Sequence, residues 1–403
     1  MNTLKFPLTV LSVFLLAGLA IGLSVFSATG GKPTAETLKL MKQSSQWSGK
    51  AFKNVLAQQP VPPFPAAKRF FLETADYSIP QSDVPVLKRD GREFLSSPVS
   101  GLRVTWFGHS TLLVEVEGTR VLIDPVWGER ASPLFFMGAK RFFEPVMDLS
   151  DSPPIDAVVI SHDHYDHLDM ATVKALKDRP MTWIVPLGVG SHLAYWGVKE
   201  ESIVELDWWE STVVGQTEFT ATPARHNSGR SLFFTDTDKT LWAGWAIKGP
   251  TRSLFYSGDT PMHEGFVDIG DKLGPFDLSV MEVGAYESLW LDHHMGPEQA
   301  VMAHQLVGAK VMLPVHWGLF NLAAHVWTEP MERAIVAAQK SGVTLVAPVP
   351  GGSVDPMNPA PVDIWWPDLP WVPAEEKPIR SSAVEHLLQP QRLSAERKAV
   401  IGS

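Results

Sequence analysis

From Leu102 onward the chain reads as short apolar runs separated by turn residues. Runs at 104–107, 111–116 and 120–123 are rich in β-branched and aromatic residues, with Gly108 and the Glu117-Gly118 pair as turn signals between them. Further runs of the same kind fall at 157–160, 182–185, 218–221, 241–245, 253–256, 278–281 and 311–315. Between them the pattern changes to helical spacing. One helix is predicted over 170–177 with Asp169 as its N-cap. Another covers 297–307, opened by Pro297 and closed by Gly308, and a third covers 329–340, capped by Thr328 and ended by Gly342. Many strands with interspersed helices predict an α/β layered domain over 100–350.

The flanks differ from this. The run from Phe6 to Ala28 is apolar and long enough to cross a bilayer as a helix, so 1–29 is expected to be a hydrophobic anchor or signal segment. Its length favours an uncleaved anchor, although Ala28-Thr29-Gly30 would serve as a small-residue cleavage site. The protein is then expected to be membrane-associated through this anchor, or exported to the periplasm if the segment is cleaved. Residues 30–99 read as a linker and lead-in arm, with an extended, non-helical stretch at Pro60-Val61-Pro62-Pro63-Phe64-Pro65. Residues 351–403 form a Pro- and Trp-rich tail with a charged segment from Ala374 that suits a last helix.

Composition narrows the chemistry. A net charge of −10 and no long basic run argue against nucleic acid as a partner. With no cysteine, the chain has no disulfide, thiolate ligand or thiol nucleophile. Histidine is where the chemistry concentrates. In His162-x-His164-x-Asp166-His167 the first two imidazoles alternate at period two, so an extended segment points both to one side. The turn toward the next helix adds a carboxylate and a third imidazole. Such a set suits Zn²⁺, and Fe or Mn less exclusively. His226, Asp259 and His316 each follow the end of an apolar β-run, as His162 does, and ligands gathered at strand ends would assemble a site in one cleft. His109 is expected to orient the edge of the site; His192, His304, His325 and His386 are expected to be packing or surface residues.

These residues, with Trp106-Phe107-Gly108-His109-Ser110, Asp124-Pro125, Ser257-Gly258-Asp259-Thr260 and His316-Trp317-Gly318, resemble the metallo-β-lactamase superfamily. Within it, they are most similar to the N-acylphosphatidylethanolamine-hydrolysing phospholipase D branch. The resemblance spans roughly 61–347. It implies an αββα sandwich holding two Zn²⁺ ions, one on His162, His164 and His226 and the other on Asp166, His167 and His316. Asp259 would bridge the two and help to manage the proton. It further implies that Asp124 orients a ligand or the attacking water, and that Tyr165 and His294 touch the substrate. Hydroxide shared by the metals would then attack a lipid phosphodiester, and no Ser or Cys nucleophile is needed. Other hydrolase substrates (a lactone, a thioester, another phosphodiester) and a non-catalytic metal-bound scaffold are the alternatives. The expected partners are a phospholipid substrate and a membrane, with a homodimer as the candidate assembly.

Overall fold

The computed structural model describes residues 8–73 and 75–387. Met1–Pro7 and the part of the expected tail beyond Leu387 lie outside the described residues, as does the side chain of His386. In chain order the strands are β1 (Leu102–Gly108), β2 (Thr111–Val116), β3 (Thr119–Ile123), β4 (Arg130–Ala131), β5 (Ala139–Lys140), β6 (Ala157–Val159), β7 (Thr182–Pro186) and β8 (Ile203–Leu206). They continue as β9 (Ser211–Val214), β10 (Thr217–Thr222), β11 (Gly244–Lys248), β12 (Ser253–Tyr256), β13 (Phe276–Glu282), β14 (Ala309–Val315), β15 (Thr344–Leu345) and β16 (Ser353–Val354). The helices are α1 (Leu8–Ala28), α2 (Ala35–Met41), α3 (Pro63–Leu72), α4 (Met170–Leu176), α5 (Gly190–Tyr195), α6 (Gly265–Leu273), α7 (Pro297–Val307), α8 (Glu329–Ser341) and α9 (Ala383–Leu387).

Two seven-stranded sheets, ordered β16-β1-β2-β3-β6-β7-β8 and β15-β14-β13-β12-β11-β10-β9, carry the core. Helix α7 packs on β13 and β14 of the second sheet with α6 and α8 beside it, while α5 lies against β8 of the first. Polar contacts join the sheets across the interior. The Trp245 indole donates to the Ile160 carbonyl at 3.0 Å and the Tyr256 hydroxyl donates to Asp124 at 2.5 Å.

Strand direction decides where function can sit. In the first sheet β1 and β3 both run antiparallel to β2, and β3, β6 and β7 are parallel, so β1, β3 and β6 end at one edge. In the second sheet β10 and β12 both oppose β11, and β12, β13 and β14 are parallel, so these four also end together.

Local chemistry explains several boundaries. The Asp169 carboxylate accepts from Ala171 N and Thr172 N and starts α4. Pro297 opens α7, and Gly308 closes it in the left-handed region at φ 72°. Thr328 precedes α8, but with φ −93° and ψ −18° its side chain makes no capping bond. The expected strand at 241–245 starts only at Gly244, because Leu241 N and Ala243 N are committed to Leu187 O and Ser161 O of the other layer. One expectation is corrected outright: the Pro60–Pro65 stretch is not extended throughout. Helix α3 begins at Pro63 and contains Pro65, because the first turn of a helix needs no intrahelical N–H donors and a proline φ suits it.

Helix α1 occupies much of the N-terminal apolar run. Among the described residues no helix is long and apolar enough to cross a membrane, the side chains of several α1 residues lying outside them. The Trp-rich tail is partly core: Trp365 stacks on Trp317 and Trp366 meets it edge-on, with centroids 5.4 and 5.3 Å away, and Trp106 closes the cluster.

Candidate metal centre

At the shared edge of the sheets, the residue after each of several strands turns inward. His109 follows β1, Asp124 follows β3, and His316 follows β14. All three have left-handed backbones at φ 52°, 39° and 65°, a conformation costly for side chains with a Cβ and met where surrounding structure enforces it. The loop Ser161–Asp169 follows buried β6, Asp259 follows β12, and His226 lies four residues past β10.

The side chains meet in two groups. In the first, His162 Nε2 and His226 Nε2 lie 2.9 and 3.2 Å from His164 Nδ1. In the second, Asp166 Oδ2 lies 3.3 Å from both His167 Nε2 and His316 Nε2. Asp259 Oδ2 sits between the groups, 3.2 Å from His167, 3.0 Å from His316, and 3.8 Å from both His162 and His226. All seven positions read from the sequence are therefore brought together.

A cation suits both groups. Tetrahedral ligands about 2.0–2.1 Å from a zinc ion stand roughly 3.4 Å apart, close to the observed spacings. His167 Nε2, His316 Nε2 and Asp259 Oδ1 are buried without a hydrogen-bond partner. The tautomers also agree. His167 Nδ1 faces Asp124 Oδ2 at 2.7 Å and His226 Nδ1 faces the His293 carbonyl at 3.0 Å, which turns both Nε2 lone pairs inward. Burial opposes charge on His316, yet the Asp259 and Asp166 carboxylates outweigh it and raise its pKa to about 10. His162 and His226 are held well below the usual imidazole range by burial first and by neighbouring histidines. The second group thus draws in positive charge and the first offers neutral donors.

Asp124 is fully buried and fully engaged. Its carboxylate also accepts from Ser161 N at 2.7 Å, from the Ser161 hydroxyl at 2.5 Å and from Tyr256. Asp124→Asn would set an amide N–H₂ against these donors and remove the charge behind His167. Metal affinity or turnover should fall about 10–100-fold, read by competitive metal titration; unchanged affinity would remove Asp124 from this role.

His294 stands at the rim, 16% exposed, with Nδ1 2.9 Å from Glu282 Oε2. Tyr165 lies farther out: its hydroxyl donates to the Arg230 carbonyl at 2.7 Å, and the Arg230 guanidinium sits 4.0 Å over its ring. His109 is more than an edge residue, since its Nε2 is 2.8 Å from Asp166 Oδ2 and its ring lies 4.1 Å from that of His316. Burial pushes its pKa down to about 3, so it donates from a neutral ring. Of the remaining histidines, His192 and His304 are buried.

Sequence reasoning missed two features. Glu282 closes β13 as His316 follows β14; its buried Oε1 accepts from Thr260 N and Met295 N, and its Oε2 lies 2.9 Å from His294 Nδ1. The signal was available, an acid ending an apolar run. The second is the bidentate Arg225–Asp292 pair, with contacts of 2.9 and 2.8 Å. Arg225 also donates to Leu56 O and Ala57 O of the lead-in arm, and Asp292 accepts from Ser381 and Ser382 of the tail. Since Arg225 adjoins His226 and Asp292 precedes His293-His294, both flanking segments brace the centre. Arg225→Met should lower stability by about 3–5 kcal/mol by leaving a buried carboxylate uncompensated; denaturant unfolding checks it.

Comparison with known proteins agrees with this geometry. Residues 119–317 match the Beta-lactamase superfamily domain. The chain is 39% identical over 276 residues to N-acyl-phosphatidylethanolamine-hydrolyzing phospholipase D 1 of Caenorhabditis elegans, covering 64% of this chain and 75% of that one. The chain belongs to the metallo-β-lactamase superfamily. This superfamily member is also 49% identical over 271 residues to an uncharacterized protein of Mycobacterium tuberculosis, covering 66% and 72% of the two chains. Among solved structures, the isothiocyanate hydrolase from Delia radicum gut bacteria superposes with a TM-score of 0.51 at 19% identity, over 63% of this chain and 98% of that one, which supports the metallo-β-lactamase fold alone. The protein is a metal-dependent hydrolase of this superfamily, and its His/Asp cluster is the candidate metal site.

Proposed function

We propose that the chain is a dinuclear zinc hydrolase that cleaves N-acylphosphatidylethanolamine-like phosphodiesters in the phospholipase D manner. The observation that carries the two-metal reading is Asp259 Oδ2, held within 3.8 Å of imidazole nitrogens from both histidine groups. An all-imidazole triad beside a His₂-carboxylate triad favours zinc over Mg²⁺ or Ca²⁺, which prefer all-oxygen shells.

Zinc bound there would supply an activated water and a Lewis acid for the phosphoryl oxygen. The chain's own groups set the rest. Asp259 fixes the spacing of the two groups and lies where it can take a proton as water attacks. Asp124 and the His293 carbonyl hold His167 and His226 in the tautomers that point inward. His294, steadied by Glu282 at the rim, is placed to donate to a phosphate oxygen. Tyr165 would reach substrate only by giving up its bond to the Arg230 carbonyl, or through its ring edge. Water adds across the P–O bond to the head group, giving phosphatidic acid and an N-acylethanolamine.

The substrate class is supported by the 39% identical relative and by the apolar character of α1, which suits an enzyme that meets its substrate at a bilayer. Full-length protein is to be assayed for zinc content and for release of N-acylethanolamine, beside a lactone, a thioester and a generic phosphodiester. About two zinc ions per chain and selective lipid cleavage are expected. One ion per chain sinks the dinuclear reading; two ions with turnover only of the lactone or thioester sink the substrate.

A further inference from the structure

The end of α1 does not hang free of the hydrolase domain. Ala28 is buried, and its carbonyl accepts from Arg230 Nε at 2.9 Å. The Ser27 carbonyl accepts from the Trp196 indole at 2.8 Å. The next residues are equally confined. A Cβ on Gly30 would stand 2.2 Å from the His192 ring, and one on Gly31 would stand 2.2 Å from the Ser191 carbonyl. Gly30 and Gly31 therefore thread a slot that has no room for a side chain.

The walls of that slot lead to the metal centre. Arg230 is fully buried, and the same guanidinium that holds Ala28 also donates from Nη1 to the backbone carbonyls of Asp163 and Leu168. His192, packed on Gly30, has Nε2 3.3 Å from the Asp163 carboxylate. Asp163 lies between His162 and His164, and Leu168 follows His167. Two independent routes thus run from the end of α1 to the loop that carries four of the seven candidate ligands.

We infer that the 27–31 junction is a permanent part of the folded hydrolase, retained in the mature protein, and that Arg230 is a positioning residue through which it holds the His162–His167 loop in its metal-ready shape. The second half rests on the metal-centre reading above; the first does not. Removal of residues up to Ala28 would strip the acceptors from Arg230 Nε and Trp196 Nε1 at once, leaving two buried N–H groups unpaired.

Two measurements on the full-length protein in detergent test this. Intact mass of the protein from expressing cells should show residues 1–30 retained, apart from the initiator Met; a mature form beginning at Thr29 overturns retention. Zinc release to a chelator, followed well below the melting temperature, tests positioning. Gly31→Val should release zinc about tenfold faster and Trp196→Phe, which deletes one hydrogen bond and keeps the ring, about fivefold faster, as outer-shell losses do. Arg230→Lys, which keeps the charge but not three directed bonds, should fall between wild type and Arg230→Met. Arg333→Met, which breaks a partly buried ion pair between α8 and Glu298 of α7 without touching this link, is the control for lost stability and should release zinc at the wild-type rate. Wild-type rates in folded Gly31→Val and Trp196→Phe overturn the coupling, as does equally fast release from Arg333→Met. A wild-type chain that holds no zinc fails the metal-centre reading and leaves the mass result to decide retention alone.

Discussion

Asp259→Ala is expected to abolish turnover, by at least about 10³-fold, beyond the 10–100-fold typical of an outer-shell partner. Zinc content should drop from two ions toward one. Asp259 Oδ2 lies within 3.8 Å of imidazole nitrogens of His162, His167, His226 and His316, so its loss removes a ligand from both groups together. It also removes the negative charge that draws positive charge to His167 and His316. The three-histidine group keeps all its imidazoles and should keep its ion more readily. Asp259→Asn preserves shape and removes charge, so it separates packing from electrostatics; it should resemble alanine in zinc content. Two tightly held ions in either variant, measured by elemental analysis after gel filtration, would show that the carboxylate bridges nothing.

Stripping metal from the intact protein should produce the second large effect. A ligand present at 100 times its dissociation constant stabilises the native state by about 2.7 kcal/mol, and two independent sites double that. For a chain of this size the loss corresponds to a fall in melting temperature of about 6 °C. The direction follows from the site: without cations, the buried carboxylates of Asp166 and Asp259 are offset only by holding His167 and His316 protonated against their own burial. Activity should vanish with the metal and return with Zn²⁺ but not with Mg²⁺, whose octahedral oxygen preference this donor set does not meet. A chelated, metal-free sample that melts and turns over like the original would sink the assignment.

The centre was legible because each ligand sits just past an apolar run, and four of them crowd into six residues. What could not be read is what depends on distant partners. Strand β16 pairs with β1 although some 250 residues separate them in sequence, a pairing fixed by packing and not by local pattern. Arg225 and Asp292 each look like an ordinary charged loop residue until the fold buries them together. Arg230 is legible only from the three carbonyls around it. Pro63 and Pro65 misled for the opposite reason, since local chemistry permits either an extended segment or a first helical turn and packing chose the helix. Trp365 and Trp366, equally suited to a groove or a core, proved to belong to the aromatic cluster around Trp317.

The common direction of β1, β3, β6, β10, β12, β13 and β14 also shapes the opposite end of the sandwich. There lie the tight turns between β2 and β3, β9 and β10, and β11 and β12, none of which contributes a side chain to the metal cluster. The exposed Gly215-Gln216 turn is the clearest of them. Insertions at such tips disturb little buried backbone. One end of the molecule is thus bound by chemistry, while the other is free to drift, to lengthen, or to carry a fused fluorescent reporter that leaves catalysis untouched.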